Sequence, residues 1–419
     1  MPRLSLHASQ KTKSTAAGKI PVDWECARLG DLVPEDKPIV YGIVQAGPHV
    51  PDGVPYIRST EVGGTICADT LLKTSPEIAK KYKRSVVSAG DIVFSLRGNI
   101  GELSIVPPEL GGANLTQGTA RISPKKGYLA GFIKHSLHET STHRRILAVA
   151  KGSTFHEITL EDLRGLPIAV PPLGEQQKIA DILGTWDEAL DKFDGLIAAK
   201  DSRKQALMQQ LLRVAANKAG HGHTRHRLGN VVERVTRRNT IDCKTVLTIS
   251  AQDGLIDQRE YFNRSVAGAD LSGYYLLYRG EFAYNRSSSI GYPYGALKRL
   301  DRYDNGVVST LYLCFRIRDE ATVSADYLSH YFDGGYLNSG LRSVAKEGAR
   351  AHGLLNVTAD EFMELDIFLP PLPLQTQIAD VLDAADAELR LLRKQRAALD
   401  HQKRGLMQQL LTGRIRVAA

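Results

Sequence analysis

Three histidines, His135, His138 and His143, fall in one stretch whose pattern predicts a helix, where residues three apart share a face. With no carboxylate or cysteine placed to complete a ligand set, a solvated or phosphate-facing helix is expected rather than a metal site. His221, His223 and His226, in GHGHTRH, are expected in a glycine-containing linker. Glu35-Asp36-Lys37 is the nearest approach to a nuclease carboxylate set and has no acidic partner at a suitable distance upstream, so a surface loop is expected there. There is no GxxxxGK[ST] phosphate loop, no Asn-Pro-Pro-aromatic motif and no glycine-rich methyl-donor loop after a strand. Cys26, Cys67, Cys243 and Cys314 form no CxxC pair, which argues against a zinc ribbon or disulfide framework and for a reducing, cytoplasmic compartment.

What remains is the chemistry of recognition. A formal net charge of +8 and a pI near 9.1 favour a polyanionic partner, because Lys and Arg on phosphates release counterions. Arg can fork onto guanine, and Asn or Gln onto adenine. In the first half the candidates are Arg58, Ser59 and Thr60, then Arg97 and Asn99 in SLRGNIG, Thr116 and Gln117, and a loop with Lys151, Ser153, Thr154 and His156. In the second half they are Tyr284, Asn285, Arg286, Ser287 and Ser288, then Tyr292, and a loop with Lys346, Arg350 and His352. Arg97 and Arg286 are the expected guanine forks. Each loop precedes a threonine-capped turn, TLEDL from Thr159 and TADEF from Thr358, whose backbone amides suit phosphate.

These clusters need a frame, and the frame is written twice. PPLGEQQKIADILGTWDEAL from Pro171 returns as PPLPLQTQIADVLDAADAEL from Pro370, a shift of about 199 positions that also lays Leu207–Leu212 on Leu406–Leu411. The same shift matches Leu29-Gly30-Asp31-Leu32-Val33 to Leu228-Gly229-Asn230-Val231-Val232. Between these anchors the halves diverge, and Gly90-Asp91-Ile92-Val93-Phe94 best fits Gly280-Glu281-Phe282-Ala283-Tyr284. The tails predict helices after their proline pairs. Ile179, Leu183, Trp186, Leu190, Phe193, Ile197, Leu207 and Leu211 follow steps of four and three, as do Ile378, Leu382, Ala385, Leu389, Leu392, Leu399, Leu406 and Leu410. Two such seams, each on a helix of about 60 Å, are expected to pair antiparallel. Lys204 and Lys403 interrupt them at equivalent positions, either to set register or to snorkel to water. The globular parts predict a mixed α/β fold: strands near 56–60, 90–95, 120–122, 246–249, 281–284 and 311–317, and helices over 130–149 and 325–344.

The tails LPIAVPPLGEQQKIADIL and LDIFLPPLPLQTQIADVL, the openings WECARLGDL and HRLGNVV, and the ending GLMQQLLTGRIRV resemble the specificity (S) subunit of Type I restriction-modification systems. The resemblance covers nearly everything after Ile20. It implies two pseudo-two-fold related target-recognition domains separated by a pair of long antiparallel coiled-coil helices, an α/β (α+β) fold. The expected boundaries are a flexible leader to residue 20, recognition domains at 21–170 and 226–369, spacer helices at 171–216 and 370–419, and a linker at 217–225. Each domain would read one half of a split duplex DNA target, with the helices as a ruler; their length corresponds to about 15 to 18 base pairs. Two modification (methyltransferase) subunits and restriction-translocase subunits would do the chemistry and hold the methyl donor, ATP and magnesium, leaving this chain without catalysis, cofactor or metal. No apolar run approaches the ~18 residues of a membrane span. A coiled-coil scaffold joining protein partners without reading bases is the alternative.

Overall fold

The computed structural model describes residues 11–150, 156–217, 224–250, 254–262, 268, 270–289, 291–347 and 355–417, with side chains undescribed at 213–217 and 346–347. The chain divides into two compact units, Met1–Asp194 with Lys394–Ala419, and Gly195–Arg393. Each is a mixed α/β domain joined by the beginning of one tail helix and the end of the other. The tails are single helices, Leu173–Asn217 and Leu372–Leu411, and each starts just past its proline pair.

The two domains share a strand order. In the first unit an antiparallel sheet runs Val40–Tyr41, Thr119–Ile122, Ile92–Ser95, Leu103–Ile105. In the second it runs Val232–Val235, Leu313–Ile317, Phe282–Asn285, Ala296–Arg299. A two-stranded ribbon leads into each tail: Glu25–Arg28 pairs with Pro167–Val170, and Thr224–Arg227 with Asp366–Leu369. In Pro167–Val170 and Asp366–Leu369 alternate residues are buried, so Ile168, Val170, Ile367 and Leu369 face the cores and bring the chain onto the helix entrance.

The PPLxxQ repeat has a packing reason. Gln176 Nε2 donates to the carbonyls of Pro171 (3.0 Å) and Gly127 (3.2 Å), while its Oε1 accepts from Leu129 N (3.2 Å). Gln375 does the same with Pro370 (2.8 Å), Thr322 (3.2 Å) and Ser324 N (2.9 Å). Each buried amide bolts the first turn of a tail to the loop that starts its domain's helix. The cores continue this join. Ile179, Leu183, Met407, Leu410 and Leu411 pack with Trp24, Phe94 and Phe132 in the first unit. Met208, Leu212, Ile378 and Leu382 pack with Phe282, Phe315 and Phe332 in the second. Burying each such aliphatic side chain contributes about 1.5–3 kcal/mol.

Within each unit the helices pair antiparallel, and charges mark the register. In the first, Lys403 bonds Asp187, which Lys134 also reaches at 2.9 Å, and Arg396 forks onto Asp194 at 3.0 Å. In the second, Lys204 reaches Asp386 and Lys200 reaches Glu388, both at 2.5 Å. Lys403 and Lys204 do not snorkel: their side chains are 16% and 14% exposed, each facing a carboxylate on the opposite helix. Burial pushes Asp187 up, and the bond from Lys403 with the charge of Lys134 more than reverses this, holding its carboxyl below the usual range.

Several expectations need correcting. The leader is structured from Thr12: Thr12–Thr15 and Gly18–Pro21 form a hairpin that buries Ile20 in the first core. The linker ends earlier than expected, since Thr224–Arg227 is already a strand. The seam is narrower too. Ile179, Leu183, Leu190, Ile378, Leu382, Leu389 and Leu410 are buried, but Trp186, Phe193, Ile197, Leu392 and Leu399 are half-buried, because two helices alone cover only one side of each other. Toward the tail ends the buried positions move by one residue: Met208, Leu212 and Met407 are buried, and Leu207, Leu211 and Leu406 are only half so, since the helix there faces a domain as well as its partner. The helices expected over 130–149 and 325–344 are each two. Glu139 breaks the first by accepting from Ser141 N and Thr142 N as a new cap, and Gly335, in the left-handed region at φ +71°, breaks the second.

Candidate nucleic-acid interface

In the first unit one edge gathers most of the expected residues, and the cause is strand direction. Val54–Ile57 and Asn114–Leu115 run parallel, so Arg58-Ser59-Thr60 and Thr116-Gln117 leave them side by side. Thr119 pairs with Ser95, and Leu96 N donates to Gly118 O at 2.8 Å, which sets the Arg97–Gly101 loop against the same edge. A carbon added at Gly118 or Gly98 would lie 3.7 or 3.9 Å from Ser59 Oγ. Beside these, Asn99, Glu102, His143 and His156 line an open hollow of about 790 Å³ walled by Val62, Ile100 and Leu147.

The arginines at this edge are already matched. Arg58 forks onto Glu61, with Nε to Oε1 at 2.9 Å, and that pairing holds its guanidinium above its ordinary pKa. Arg97 faces Glu157, Nε to Oε1 2.9 Å, without hydrogen-bond geometry, so its fork is neutralised but not locked. Among the three histidines only His143 reaches the hollow. His135 is buried and His138 half-buried, and burial lowers them to about 3 and about 4; the expected solvated face is therefore largely a core face.

The second unit corrects two residues. Tyr284 is fully buried, stacks on Phe362 and donates its hydroxyl to Tyr294 O at 2.7 Å, so it supports the sheet and faces no ligand. Arg286 is no free fork either: Nε and Nη2 donate to Leu311 O (3.1 and 2.9 Å) and Nη1 to Val357 O (2.9 Å). Asn285, Ser287 and Tyr292 stay half-buried and Ser288 exposed, with Asn285 Oδ1 accepting from Ser287 N at 3.3 Å. Lys151, Ser153, Thr154, Arg350 and His352 lie outside the described residues, as do His221, His223 and the side chain of Lys346.

Among the described residues one group has the ligand types of a metal site, His330 with Asp383 and Asp386. Lys204 already holds Asp386 at 2.5 Å, so the group belongs to the pairing of the helices. No described helix is long and apolar enough to cross a membrane.

Comparison with known proteins bears on this arrangement. Residues 21–198 match the family model of the Type I restriction modification DNA specificity domain. The chain is 24% identical over 442 residues to the putative type I restriction enzyme MjaX specificity subunit of Methanocaldococcus jannaschii, covering 99% of both. These matches make the chain similar to Type I restriction-modification specificity subunits.

The EcoBI specificity subunit of Escherichia coli is 28% identical over 197 residues, which span 46% of this chain and 39% of that one. The fold is also that of the S subunit from M. genitalium, at TM-score 0.55 and 14% identity over 93% of this chain and 96% of that one. A chain from a structure of type I R-M system assembly and conformational transition gives TM-score 0.52 at 17% identity, covering 94% and 99%. Three placements in the first unit went unread in the sequence. Glu102 and His143 join the hollow only through folding. The run Lys80, Lys81, Lys83 and Arg84 is a readable charge cluster; all four are exposed, without an ion pair or side-chain hydrogen bond among the described residues.

Proposed function

We propose that this chain is the DNA-reading subunit of a Type I restriction-modification complex. Each unit reads one half of a split duplex target, and the tail helices set the gap and dock two modification subunits. The carrying observation is one strand order used twice with different residues at the equivalent edge: Ser59, Thr60, Asn99, Thr116 and Gln117 in the first unit, Asn285, Ser287 and Ser288 in the second. A shared frame with unlike edges suits two half-sites of unlike sequence. Lys80, Lys81, Lys83 and Arg84 supply cations for phosphates. Leu173, Leu196, Leu374, Val381 and Leu391, exposed on the tails, supply apolar surface for docked subunits. The chain performs no reaction itself; methyl donor, ATP and magnesium act on the methyltransferase and restriction-translocase partners.

The test is the gap. Inserting one turn of four residues into both tails lengthens each by about 6 Å, so targets selected from random duplex DNA should show a gap longer by about two base pairs. An unchanged gap removes the ruler. Binding that is insensitive to salt removes DNA reading and favours the scaffold.

A further inference from the structure

We propose that Glu102 reads an exocyclic amino group, cytosine N4 or adenine N6, in the half-site of the first unit. This rests on the DNA-reading function above and assigns a ligand chemistry to the hollow. The carboxylate is half-buried on the hollow's wall and has no hydrogen bond or ion pair among the described residues. The arginines of the same edge are each taken by another carboxylate, Arg58 by Glu61 and Arg97 by Glu157. Among the described residues, then, no cation of this edge is left to pair with Glu102, and its acceptor oxygens are open to a ligand's donor.

The position is built rather than incidental. Glu102 N donates to Asn99 O at 3.1 Å and Glu102 O accepts from Ser95 N at 2.8 Å, so the backbone is fixed as the strand resumes. The turn between requires Gly101, at φ +88°, where a side-chain carbon would also stand 2.8 Å from the His143 ring. The carboxylate lies over Gly63, at φ +119°, where a side-chain carbon would come within 3.0 Å of Oε2. Two glycines thus open the space that Glu102 and His143 line.

A carboxylate only accepts hydrogen bonds, and it repels phosphate. In the major groove cytosine offers its N4 amino group and adenine its N6, whereas guanine O6 and N7 and thymine O4 are acceptors. Glu102 therefore selects by repulsion as well as attraction, excluding guanine and thymine at one position. Asn99, at the start of the same turn, has an amide able to fork onto a neighbouring adenine, so the two side chains would read adjacent positions.

The experiment selects targets from random duplex DNA with the full chain and with Glu102→Gln and Glu102→Ala. The native chain should enrich a split motif with cytosine or adenine at one position of one half-site, and which base appears distinguishes the two sources. The amide introduced by the first variant would offer a donor beside its acceptor, so discrimination at that position should fall about 5- to 100-fold while the rest of the motif persists. A variant motif identical to the native one overturns the role of Glu102. Loss of both half-sites together, or a lowered thermal midpoint, would make the residue structural and overturns it too. A native chain that enriches no motif overturns DNA reading itself.

Discussion

Replacing Lys403 with methionine isolates what the ion pair contributes to the helix pairing. Methionine keeps the aliphatic stem in the seam and removes only the ammonium. Asp187, 24% exposed, then keeps Lys134 at 2.9 Å as its one close cation. Removing one partner of a fully buried pair costs about 3–5 kcal/mol, and a fully exposed pair is worth about 0–1 kcal/mol. With partial burial and a second lysine in place, Lys403→Met should cost about 1–2 kcal/mol, or roughly 3–8 °C in thermal midpoint for a unit of this size. Lys204→Met should cost more, about 2–3 kcal/mol, because Asp386 is equally covered and its remaining neighbour is the His330 ring at 4.0 Å rather than a lysine. Changing both members, Lys403→Met with Asp187→Leu, should recover most of the loss, since no carboxylate is left unpaired. Calorimetry on the three variants decides it. Single variants within about 0.3 kcal/mol of the native chain, or a double variant less stable than either single change, would refute the account.

Acidification should loosen the first unit. His135 and His138 are held neutral, lowered to about 3 and about 4 from about 6.5 by burial, with Lys134 and Lys403 adding repulsion. The folded form therefore binds fewer protons than the unfolded chain between pH 6.5 and 4, so stability is full above 6.5 and falls through that window. The expected loss from pH 7 to 5.5 is about 2–3 kcal/mol for the pair. His135→Gln with His138→Gln should flatten the profile, and an unflattened melting curve would assign the acid sensitivity elsewhere. Gln176→Leu or Gln375→Leu strands a buried N–H and two carbonyls at a helix entrance, which should cost about 1–3 kcal/mol in urea titrations. An unchanged midpoint would show that the bolts are dispensable.

The doubled plan was legible because repetition and helical period are local signals. Pro171 and Pro370, the four-and-three spacing of the tails and the repeated glutamine all sit in contiguous text. The strands around Ile92–Ser95 and Phe282–Asn285 announced themselves for the same reason. What escaped depends on pairing across long separations. Nothing near Arg286 states that its donors end on Leu311 and Val357, and nothing near His143 states that Gly101 lies beneath it. The same holds for Tyr284, whose polar tip suggested exposure until Tyr294 supplied an acceptor inside the core. Glu139 shows the limit even for local signals, since a carboxylate inside an apparently continuous helix caps a new one when it turns back on its own backbone.

The lysine and aspartate of the helix pairing carry one more consequence. Asp187 and Lys204 lie on one tail and Asp386 and Lys403 on the other, at matching places in the repeat, and each aspartate takes the other tail's lysine. Either repeat alone thus holds both the key and the keyhole. Such an edge is self-complementary, the isologous logic of a two-fold homodimer, so a gene encoding one half would already specify a symmetric pair. With two copies in one chain both pairings are kept, and each domain is free to diverge.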